Sequence, residues 1–349
     1  MRILVTGGAG YIGTHLVVEL LQAGHDVVVV DDFSSGHREG LRRAEALGGR
    51  EIVLLEGDIA DRALMASALE GVDMVAHLAA SKHVGESMTR PEWFFENNIG
   101  GTTSLIESMQ EAGVTRILYS SSAAVYGAQD DQPIREDAAL RPASPYGLTK
   151  AQGEQLLFFM ARCRGWSVVC LRYFNPVGAH PSGRIGEPLE FAASLVPRAL
   201  RAIDDPSEAL TVYGTDYQTP DGTALRDYIH VCDLAMSHLV ALSTLQPGTH
   251  HVFNVGTGSA ASVRDVLEAC ERATGHVVPH VDGARRPGDI PAACADTTRF
   301  EEAVAFRARR TLDEMVTSAW KWHTENPAGY ARAERRAAIV PLRPLGVAN

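Results

Sequence analysis

The 349-residue sequence predicts an α/β protein, in which a doubly wound parallel sheet is followed by a smaller mixed α/β domain. Short β-branched apolar segments alternate with helix-length segments as far as about residue 175, and the first apolar segment runs into a glycine-rich turn. Continuous apolar strands separated by helices are typical of a parallel sheet that is covered on both sides. We therefore expect both faces of each strand to be buried.

The first part of the chain contains predicted strands, each bounded by Gly, Asp or Ser, at residues 3–5, 27–30, 52–55, 74–76, 117–119 and 168–171. Helices fit between them at residues 13–23, 62–69, 101–112 and 146–164. After residue 175 the pattern loosens into loops rich in Pro, Gly and Asp, with helical segments near residues 192–202, 232–245, 262–274 and 311–325.

This change of pattern predicts a nucleotide-binding domain over residues 1–175, a smaller substrate-binding domain over 176–330 and a loosely packed tail over 331–349. Segments of the second domain are free to pack back on the first. We assign substrate binding to the second domain because loop-rich segments beside a rigid sheet are the usual place for recognition.

The composition argues against several classes of partner. With 43 acidic and 32 basic side chains, the formal net charge is −11, which disfavours broad contact with nucleic acid or an anionic membrane. The five cysteines form no Cys-x-x-Cys pair, and no stretch suits a signal segment or membrane span, so we expect a cytoplasmic protein. The 13 histidines show no ligand spacing, and we expect no metal.

A dinucleotide-binding turn follows the first predicted strand. Gly7, Gly10 and Gly13 allow a tight turn in which backbone N–H groups and a helix N-terminus approach a pyrophosphate. Asp31 ends the second strand, eighteen residues after Gly13, where a carboxylate accepts hydrogen bonds from the adenosine ribose and repels a 2′-phosphate. The pattern predicts a Rossmann site for NAD in preference to NADP.

Two neighbouring acidic residues have open interpretations. Asp32 is equally a second ribose contact or a solvated turn residue. Asp58 and Ile59 follow the third strand, where Asp58 either contacts the adenine or caps a turn.

A tyrosine and a lysine mark the predicted catalytic centre. Tyr146 and Lys150 lie four residues apart on one face of a predicted helix, and Ser122 ends the run Ser120-Ser121-Ser122 at the close of the preceding strand. A phenol titrates at about pH 10, so a tyrosine that acts as a base near neutrality needs a lowered pKa. An adjacent ammonium and a cationic nicotinamide would supply it.

Longer motifs carry a family resemblance from residue 1 to about residue 330, and beyond the glycine turn they lie at residues 84–87, 97–98, 120–127, 144–147, 171–183, 214–217, 221–223, 226–231 and 285–289. On these residues the sequence resembles the extended short-chain dehydrogenase/reductase family and, within it, the UDP-glucose 4-epimerases (UDP-galactose 4-epimerases). The resemblance implies NAD-dependent epimerisation at C4 of a UDP-hexose through a transient 4-keto sugar.

The resemblance also implies residue roles. Tyr146 takes the proton of the sugar 4-OH while the C4 hydride passes to NAD, Ser122 hydrogen-bonds the same oxygen, and Lys150 lowers the pKa of the phenol. The 4-keto sugar then turns over and takes the hydride back on its other face. The implied cofactor-binding residues are Gly7, Gly10, Tyr11, Ile12, Gly13, Asp31, Asp58, Ile59, Lys82, Asn97, Tyr146, Lys150 and Tyr173.

For the UDP-sugar, the resemblance places Arg226 and Arg286 on the diphosphate and Asp289 on the uridine ribose. Guanidinium groups suit this role because they donate paired hydrogen bonds to phosphate oxygens. The implied substrate-binding residues are Ser122, Asn175, Ser194, Leu195, Tyr213, Arg226, Arg286, Asp289 and Ala293.

Several of these residues have a plainer interpretation on the sequence alone. Arg226 would form an ion pair with its neighbour Asp227. The other plain interpretations are a turn residue for Asn175, a solvated loop charge for Lys82, a helix cap for Asn97 and a core position for Tyr173.

Two departures from the family pattern bear on the substrate. Ala293 stands four residues after Asp289, where enzymes restricted to glucose and galactose often have Tyr. The smaller side chain leaves room for a 2-acetamido group, so we expect UDP-GlcNAc and UDP-GalNAc to be accepted alongside UDP-glucose and UDP-galactose. Ala193-Ser194-Leu195 replaces the common Asn-Asn-Leu and loses an amide. An epimerase dedicated to a modified UDP-sugar in specialised metabolism fits the same changes.

Two rival functions have less support. A nucleotide-sugar 4,6-dehydratase carries an Asp-Glu pair directly after the catalytic hydroxyl, whereas this sequence has Ala123 and Ala124. A non-catalytic NAD-binding regulator typically lacks the tyrosine or the lysine, and both are present. Homodimerisation is implied by the resemblance only.

Overall fold

The computed structural model describes residues 1–188, 194–286 and 289–330. Its strands are β1 (Arg2–Thr6), β2 (Asp26–Asp31), β3 (Val53–Glu56), β4 (Met74–His77), β5 (Arg116–Ser122), β6 (Ser167–Tyr173), β7 (Asn175–Val177), β8 (Leu210–Tyr213), β9 (Leu225–His230), β10 (His250–Val255), β11 (Ala260–Ser262), β12 (His280–Gly283) and β13 (Ala292–Ala293). Its α-helices are α1 (Tyr11–Gln22), α2 (Arg38–Gly48), α3 (Arg62–Ala68), α4 (Val84–Ser87), α5 (Pro91–Phe95), α6 (Gly101–Ala112), α7 (Pro145–Arg164), α8 (Leu195–Asp204), α9 (Val231–Ala241), α10 (Val263–Thr274), α11 (Thr298–Val304) and α12 (Leu312–Glu325). The predicted tail, Ala193 and residues 287–288 lie outside the described residues.

The largest sheet contains all the strands that the sequence predicts in the first part of the chain. Its order is β10-β6-β5-β4-β1-β2-β3, and every neighbouring pair is parallel. The order reverses between β1 and β4, and ligands of such sheets bind in the crevice outside the carboxyl ends of the strands at that point. The predicted doubly wound sheet is therefore confirmed, and its topology locates the site.

Alternate residues of the central strands enter two different hydrophobic cores. In β1, Ile3 and Val5 join one core and Leu4 joins the other, as the period of two along a strand requires. The edge strand β3 is different, because Val53 and Leu54 are 48% and 38% exposed. The expectation that every strand is buried on both faces is wrong there, since an edge strand lies at the rim of the layers that cover the sheet.

The second part of the chain contributes to the large sheet as well as to two small ones. Helix α9 packs against α1, and β10 pairs with β6, so both elements belong to the large sheet and its helix layer. In the smaller four-stranded sheet, β9 pairs with β7 and β13 in parallel and with β11 antiparallel. A separate hydrophobic core draws on α8, α10 and α12. Where the two domains divide stays a prediction.

The sequence-based prediction missed α2 and placed the start of α1 two residues late. Helix α2 gives little signal in the sequence because His37 makes no side-chain cap and because its buried apolar side chains are Leu41 and Ala44 alone. Within the described residues, no helix combines the length and the hydrophobicity that crossing a membrane requires.

A buried ion pair joins α7 to the adjacent strands β5 and β6. Arg172 Nη2 donates to Glu154 Oε2 at 2.6 Å, and the two side chains are 6% and 5% exposed. Ser121 donates to the other carboxylate oxygen, and Arg172 Nη1 donates to the Tyr126 hydroxyl at 2.9 Å. Because a buried charge is costly once a partner is missing, this cluster holds the carboxyl ends of both strands against the helix.

Replacing Arg172 with Met leaves the Glu154 carboxylate buried without its cation. We expect Arg172→Met to lower the free energy of unfolding by about 3–5 kcal/mol, measured by urea denaturation. Arg272→Met is the matched control, because Arg272 pairs with Asp313 where both side chains are more than half exposed and such pairs contribute about 0–1 kcal/mol. Equal losses in the two variants would contradict the structural importance of the buried pair.

Candidate active site

A cavity of about 400 Å³ opens at the crevice between β1 and β4. Its wall contains the glycine turn after β1, the end of β2, the segment after β4 and the first turns of α7. Every residue that the sequence analysis assigns to the cofactor lies in this wall. None of the substrate-assigned residues belongs to the wall. Ser122 ends β5 of the large sheet and Leu195 begins α8, whereas the others lie in the small sheets and the loops beside them.

The glycine turn is built for close approach of backbone to ligand. A Cβ on Gly13 would lie 2.2 Å from the Gly7 carbonyl oxygen, and Gly7 itself has φ +70°, which favours glycine. Helix α1 begins at Tyr11, directly behind the turn. Its unpaired N–H groups therefore lie beside the cavity and suit a phosphate anion.

Asp31 has a second function that the sequence did not reveal. Its Oδ2 accepts a hydrogen bond from Ala9 N at 2.8 Å, and its Oδ1 accepts one from Phe33 N at 2.9 Å, so the carboxylate stabilises the glycine turn. Burial raises the pKa of Asp31, while these two hydrogen bonds lower it. Since a carboxylate has further lone pairs to offer, the group also fits ribose hydroxyls at the cavity wall.

The structure supports both interpretations of Asp32 and of Asp58, as a turn residue and as a residue at the ligand cavity. Asp32 accepts a hydrogen bond from Ser34 N at 2.9 Å, and Asp58 accepts one from Ala60 N at 2.8 Å, so each stabilises a turn. Both side chains also line the cavity. A turn role and a ligand contact are therefore compatible at these positions.

Asn97 is not a helix cap, because it lies within a π-helical turn, Glu96–Gly100, between α5 and α6. Its amide nitrogen donates to Ser81 Oγ at 3.1 Å. Asn98 accepts from Ser81 N at 2.8 Å and donates to Thr149 Oγ at 3.0 Å. The extra residue in a π-turn re-aims side chains and is frequent at functional sites, and here it places an amide at the cavity.

The start of α7 explains how Tyr146 reaches the end of β5. Ser144 caps the helix by accepting from Gly147 N at 3.1 Å, and Pro145 occupies the first turn. A Cβ on Gly147 would lie 2.4 Å from the Ala124 carbonyl oxygen, so only glycine permits this approach. As a result the Tyr146 phenol forms a hydrogen bond with the Ser122 hydroxyl.

Burial acts on the two titrating groups of this helix in opposite directions. Burial raises the pKa of Tyr146, and the hydrogen bond with Ser122 lowers it. Burial lowers the pKa of Lys150 to about 8, against the opposing effect of Glu154 one turn further along α7. Lys150 Nζ donates to the Ser120 carbonyl at 2.8 Å. The phenol therefore depends on added positive charge at the site before it can lose its proton near neutrality.

Tyr173 lines the cavity, and its hydroxyl is positioned by a hydrogen-bonded chain that leads away from the cavity. It forms a hydrogen bond with the Ser120 hydroxyl, whose oxygen lies 3.0 Å from His238 Nε2. His238 Nδ1 lies 2.8 Å from the Leu234 carbonyl, which can only accept, so Nδ1 carries the proton and Nε2 accepts from Ser120. Burial lowers the pKa of His238 to about 4, which keeps this ring neutral.

The predicted diphosphate residues are close together in the structure. Arg226 Nη2 donates to Asp289 Oδ1 at 2.6 Å, and Arg286 Nη2 donates to Asp289 Oδ2 at 3.1 Å. The Arg286 guanidinium also lies 4.9 Å from the centre of the Tyr213 ring. The alternative pairing of Arg226 with Asp227 is wrong, because the buried Asp227 carboxylate accepts from backbone N–H groups, including Ala295 N at 3.2 Å.

Two other predicted substrate residues are brought close to Arg226 by the strand register. Ala293 on β13 lies opposite Arg226 on β9, and Asn175 on β7 lies opposite Tyr228, two residues further along β9. Asn175 is exposed at the start of its strand. Three short strands that are distant in the sequence thus present one surface next to the end of β6.

Glu187 is a site residue that the sequence analysis missed. Its carboxylate accepts a hydrogen bond from Ser194 Oγ at 3.0 Å. Ser194 directly precedes Leu195, the first residue of α8. The Glu187 carboxylate also lies 4.0 Å from Lys82 Nζ. It therefore links the cofactor-assigned and the substrate-assigned groups. Nothing in the local sequence marks it. In the described part of the chain, no group of His, Cys, Asp or Glu is arranged to hold a metal ion.

Comparison with known proteins agrees with this geometry. The family model for the NAD dependent epimerase/dehydratase family matches residues 3–256. A UDP-glucose 4-epimerase of Bacillus subtilis (strain 168) is 43% identical over 339 residues, which cover 96% of this chain and 100% of that protein.

Two crystal structures also match at TM-score 0.90 and 41% identity. The UDP-glucose 4-epimerase of Bifidobacterium longum, in complex with NAD+ and UDP, covers 94% of this chain and 100% of its own. The UDP-glucose-4-epimerase of Stenotrophomonas maltophila, with bound NAD and formylated UDP-arabinopyranose, covers 97% and 99%. This chain belongs to the NAD dependent epimerase/dehydratase family.

Proposed function

We propose that this chain is a NAD-dependent 4-epimerase of UDP-hexoses, acting on UDP-galactose and UDP-glucose. The observation that carries the proposal is the position of Tyr146 and Lys150 in the wall of the dinucleotide cavity, with the phenol hydrogen-bonded to Ser122. Base, hydroxyl and ammonium thus meet at the end of β5. The relatives that share the fold and about two fifths of the sequence support the same reaction.

Each of these three residues has a role in the reaction. Tyr146 accepts the proton of the sugar 4-OH and later returns it. Ser122 binds the same sugar oxygen, since its hydroxyl already contacts the phenol. Bound NAD supplies the acceptor and donor of the C4 hydride. Lys150, anchored on the Ser120 carbonyl, contributes positive charge one helical turn from the phenol and so favours its ionised form.

Arg226 on β9, together with Arg286 in the loop before β13, holds the nucleotide part of the substrate. Arg226 and Arg286 share Asp289 as their partner, so a diphosphate would take over guanidinium N–H groups that are already oriented. The affinity of the complex then comes from the UDP moiety. That arrangement leaves the sugar free to turn over between the two hydride transfers.

Elimination of water has little support at this site. Ala123 and Ala124 follow Ser122 in a short 3-10 turn, and neither side chain can carry a proton. A dehydratase needs an acid and a base at these positions, as the sequence analysis states.

Changing Tyr146 to Phe tests the proposed base. We expect Tyr146→Phe to lower kcat for UDP-galactose by at least about 10²-fold, because proton transfer by a positioned side chain contributes about 10²–10⁴-fold. The variant should still retain NAD, since the glycine turn, Asp31 and the rest of the cavity wall remain to hold the dinucleotide. Both quantities are measured on the purified protein, by a coupled assay and by absorbance after denaturation.

The same protein allows an isotope control. Deuterium placed at C4 of UDP-galactose should be retained at C4 of the product, as NMR would show. Loss of the label to solvent or to free reduced cofactor would contradict the epimerase, and undiminished turnover in Tyr146→Phe would contradict the assignment of the base.

We propose that the substrate range includes UDP-GlcNAc and UDP-GalNAc. Ala293 lies opposite Arg226 in the strand pair β9–β13 and is 8% exposed, so its small side chain sits beside the residues that hold the diphosphate. Ser194, in place of the usual amide, is engaged with Glu187. A site in which two smaller side chains replace larger ones also suits a modified UDP-sugar, which is the alternative substrate.

Restoring a large ring tests this substrate range. We expect wild-type protein to convert UDP-GalNAc, and Ala293→Tyr to reduce kcat/KM for UDP-GalNAc by about tenfold or more while UDP-galactose turnover is retained as the control for folding. The physical reason is overlap of the phenol ring with the acetamido group. Inert UDP-GalNAc at saturating concentration, with UDP-galactose turned over, would contradict the proposal, and turnover of neither would favour the modified sugar.

We propose a homodimer that uses the exposed face of α7. Leu148 and Phe159 on this helix are 39% and 55% exposed, and exposed large apolar side chains on one element favour a protein contact. Phe159→Asp should convert the dimer to a monomer in light scattering, with NAD content unchanged. A wild-type protein that is monomeric at micromolar concentration would contradict this proposal. The cytoplasmic location stays a prediction.

A further inference from the structure

The cavity has one wall that neither the glycine turn nor α7 supplies. Gly186, Glu187, Pro188 and Tyr330 all line it. Three of these residues follow β7, and Tyr330 is the last described residue of the chain. The wall therefore consists of segments that a nucleotide-binding unit ending at β6 would lack.

Tyr330 connects the two sides of this wall. Its hydroxyl accepts from Gly186 N at 3.2 Å and donates to Gly186 O at 3.3 Å. Its ring lies 5.0 Å from the ring of His37, which lines the cavity together with Asp31. Because the side chain is only 2% exposed, the ring is packed between the segment after β7 and the start of α2.

An arginine on α2 supports the same contact from outside. The Arg43 guanidinium lies 5.3 Å from the Tyr330 ring centre and 5.8 Å from that of Trp322. It also donates to the Arg184 carbonyl at 2.9 Å and to Asn326 Oδ1 at 2.7 Å. One cation thus connects α2 with both segments that form the wall.

The packing around this contact leaves little room for adjustment. A Cβ on Gly186 would lie 2.4 Å from Trp322, so only glycine fits at this position. The Trp322 and Tyr330 ring centres are 4.9 Å apart. A contact packed this closely resists opening, because displacement exposes several aromatic faces at once.

We propose that Tyr330 is a cofactor-retention residue, which closes the cavity over bound NAD by joining the Gly186 segment to His37. Release of the dinucleotide through this wall requires two hydrogen bonds to break and a buried ring to become exposed. Slow release matters for an enzyme that must return the hydride from the same cofactor molecule. The inference depends on NAD as the cofactor and not on which sugar is the substrate.

The test measures release of NAD from the holoenzyme by exchange with isotopically labelled NAD, followed by mass spectrometry. Tyr330→Ala should release NAD at least about tenfold faster than wild type, because it removes a buried aromatic contact. Tyr330→Phe keeps the ring and removes the hydroxyl, so it should release NAD roughly twofold to tenfold faster.

Phe300→Ala is the matched control, because Phe300 is 3% exposed and packs on Phe253 away from the cavity wall. It should lower the thermal midpoint as Tyr330→Ala does, with an unchanged rate of NAD release. Wild-type release rates in both Tyr330 variants would overturn the proposal. It would also be overturned if Phe300→Ala accelerated release as much as Tyr330→Ala, since that would indicate a general loss of stability. Should Tyr330→Ala not fold, the release rate of Tyr330→Phe alone decides between these outcomes.

Discussion

The close approach of α7 to the end of β5 is the constraint on which the site depends. Gly147 lets the first turn of the helix pass within contact of the Ala124 carbonyl, and this brings the Tyr146 phenol to the Ser122 hydroxyl. Two turns further along, Glu154 is bound by Arg172 from β6. The helix face that carries Tyr146 and Lys150 is thus held at both ends, because a wider spacing would leave buried charges and hydroxyls without partners.

The burial of Tyr146 and Lys150 also affects which protonation state each side chain favours. A phenol out of water is harder to ionise and an ammonium out of water is easier to discharge, and both effects are present at Tyr146 and Lys150. Near neutrality the site therefore holds a neutral phenol at Tyr146 and an ammonium at Lys150 that is still charged. A base of this kind is coupled to its cofactor by electrostatics, which favours ionisation of the phenol at the time when a cationic nicotinamide is in place.

The excess of acidic residues makes the placement of cations a second requirement. Arg226 on β9 and Arg286 in the loop before β13 are held on one carboxylate, Asp289. In the proposed function, this pair of cations concentrates the binding energy for an anionic nucleotide away from the reacting carbon. Helix α9 and strand β10 return to the large sheet, and Tyr330 packs over the cavity. The later part of the chain thus contributes to the large sheet and to the cavity wall as well as to the small sheets.

The sequence by itself determined the local features: the strands of the large sheet, the glycine turn with Asp31, and the pair Tyr146 and Lys150 on one helix face. Each depends on periodicity or short spacing, which the chain records within a few residues. Only the tertiary structure decided that β3 is exposed at the sheet edge, that Asp289 joins two arginines, and that Tyr330 lines the cavity. Those contacts connect residues far apart in the chain, and their partners are selected by packing and by the need to pair buried polar groups, for which no local pattern exists.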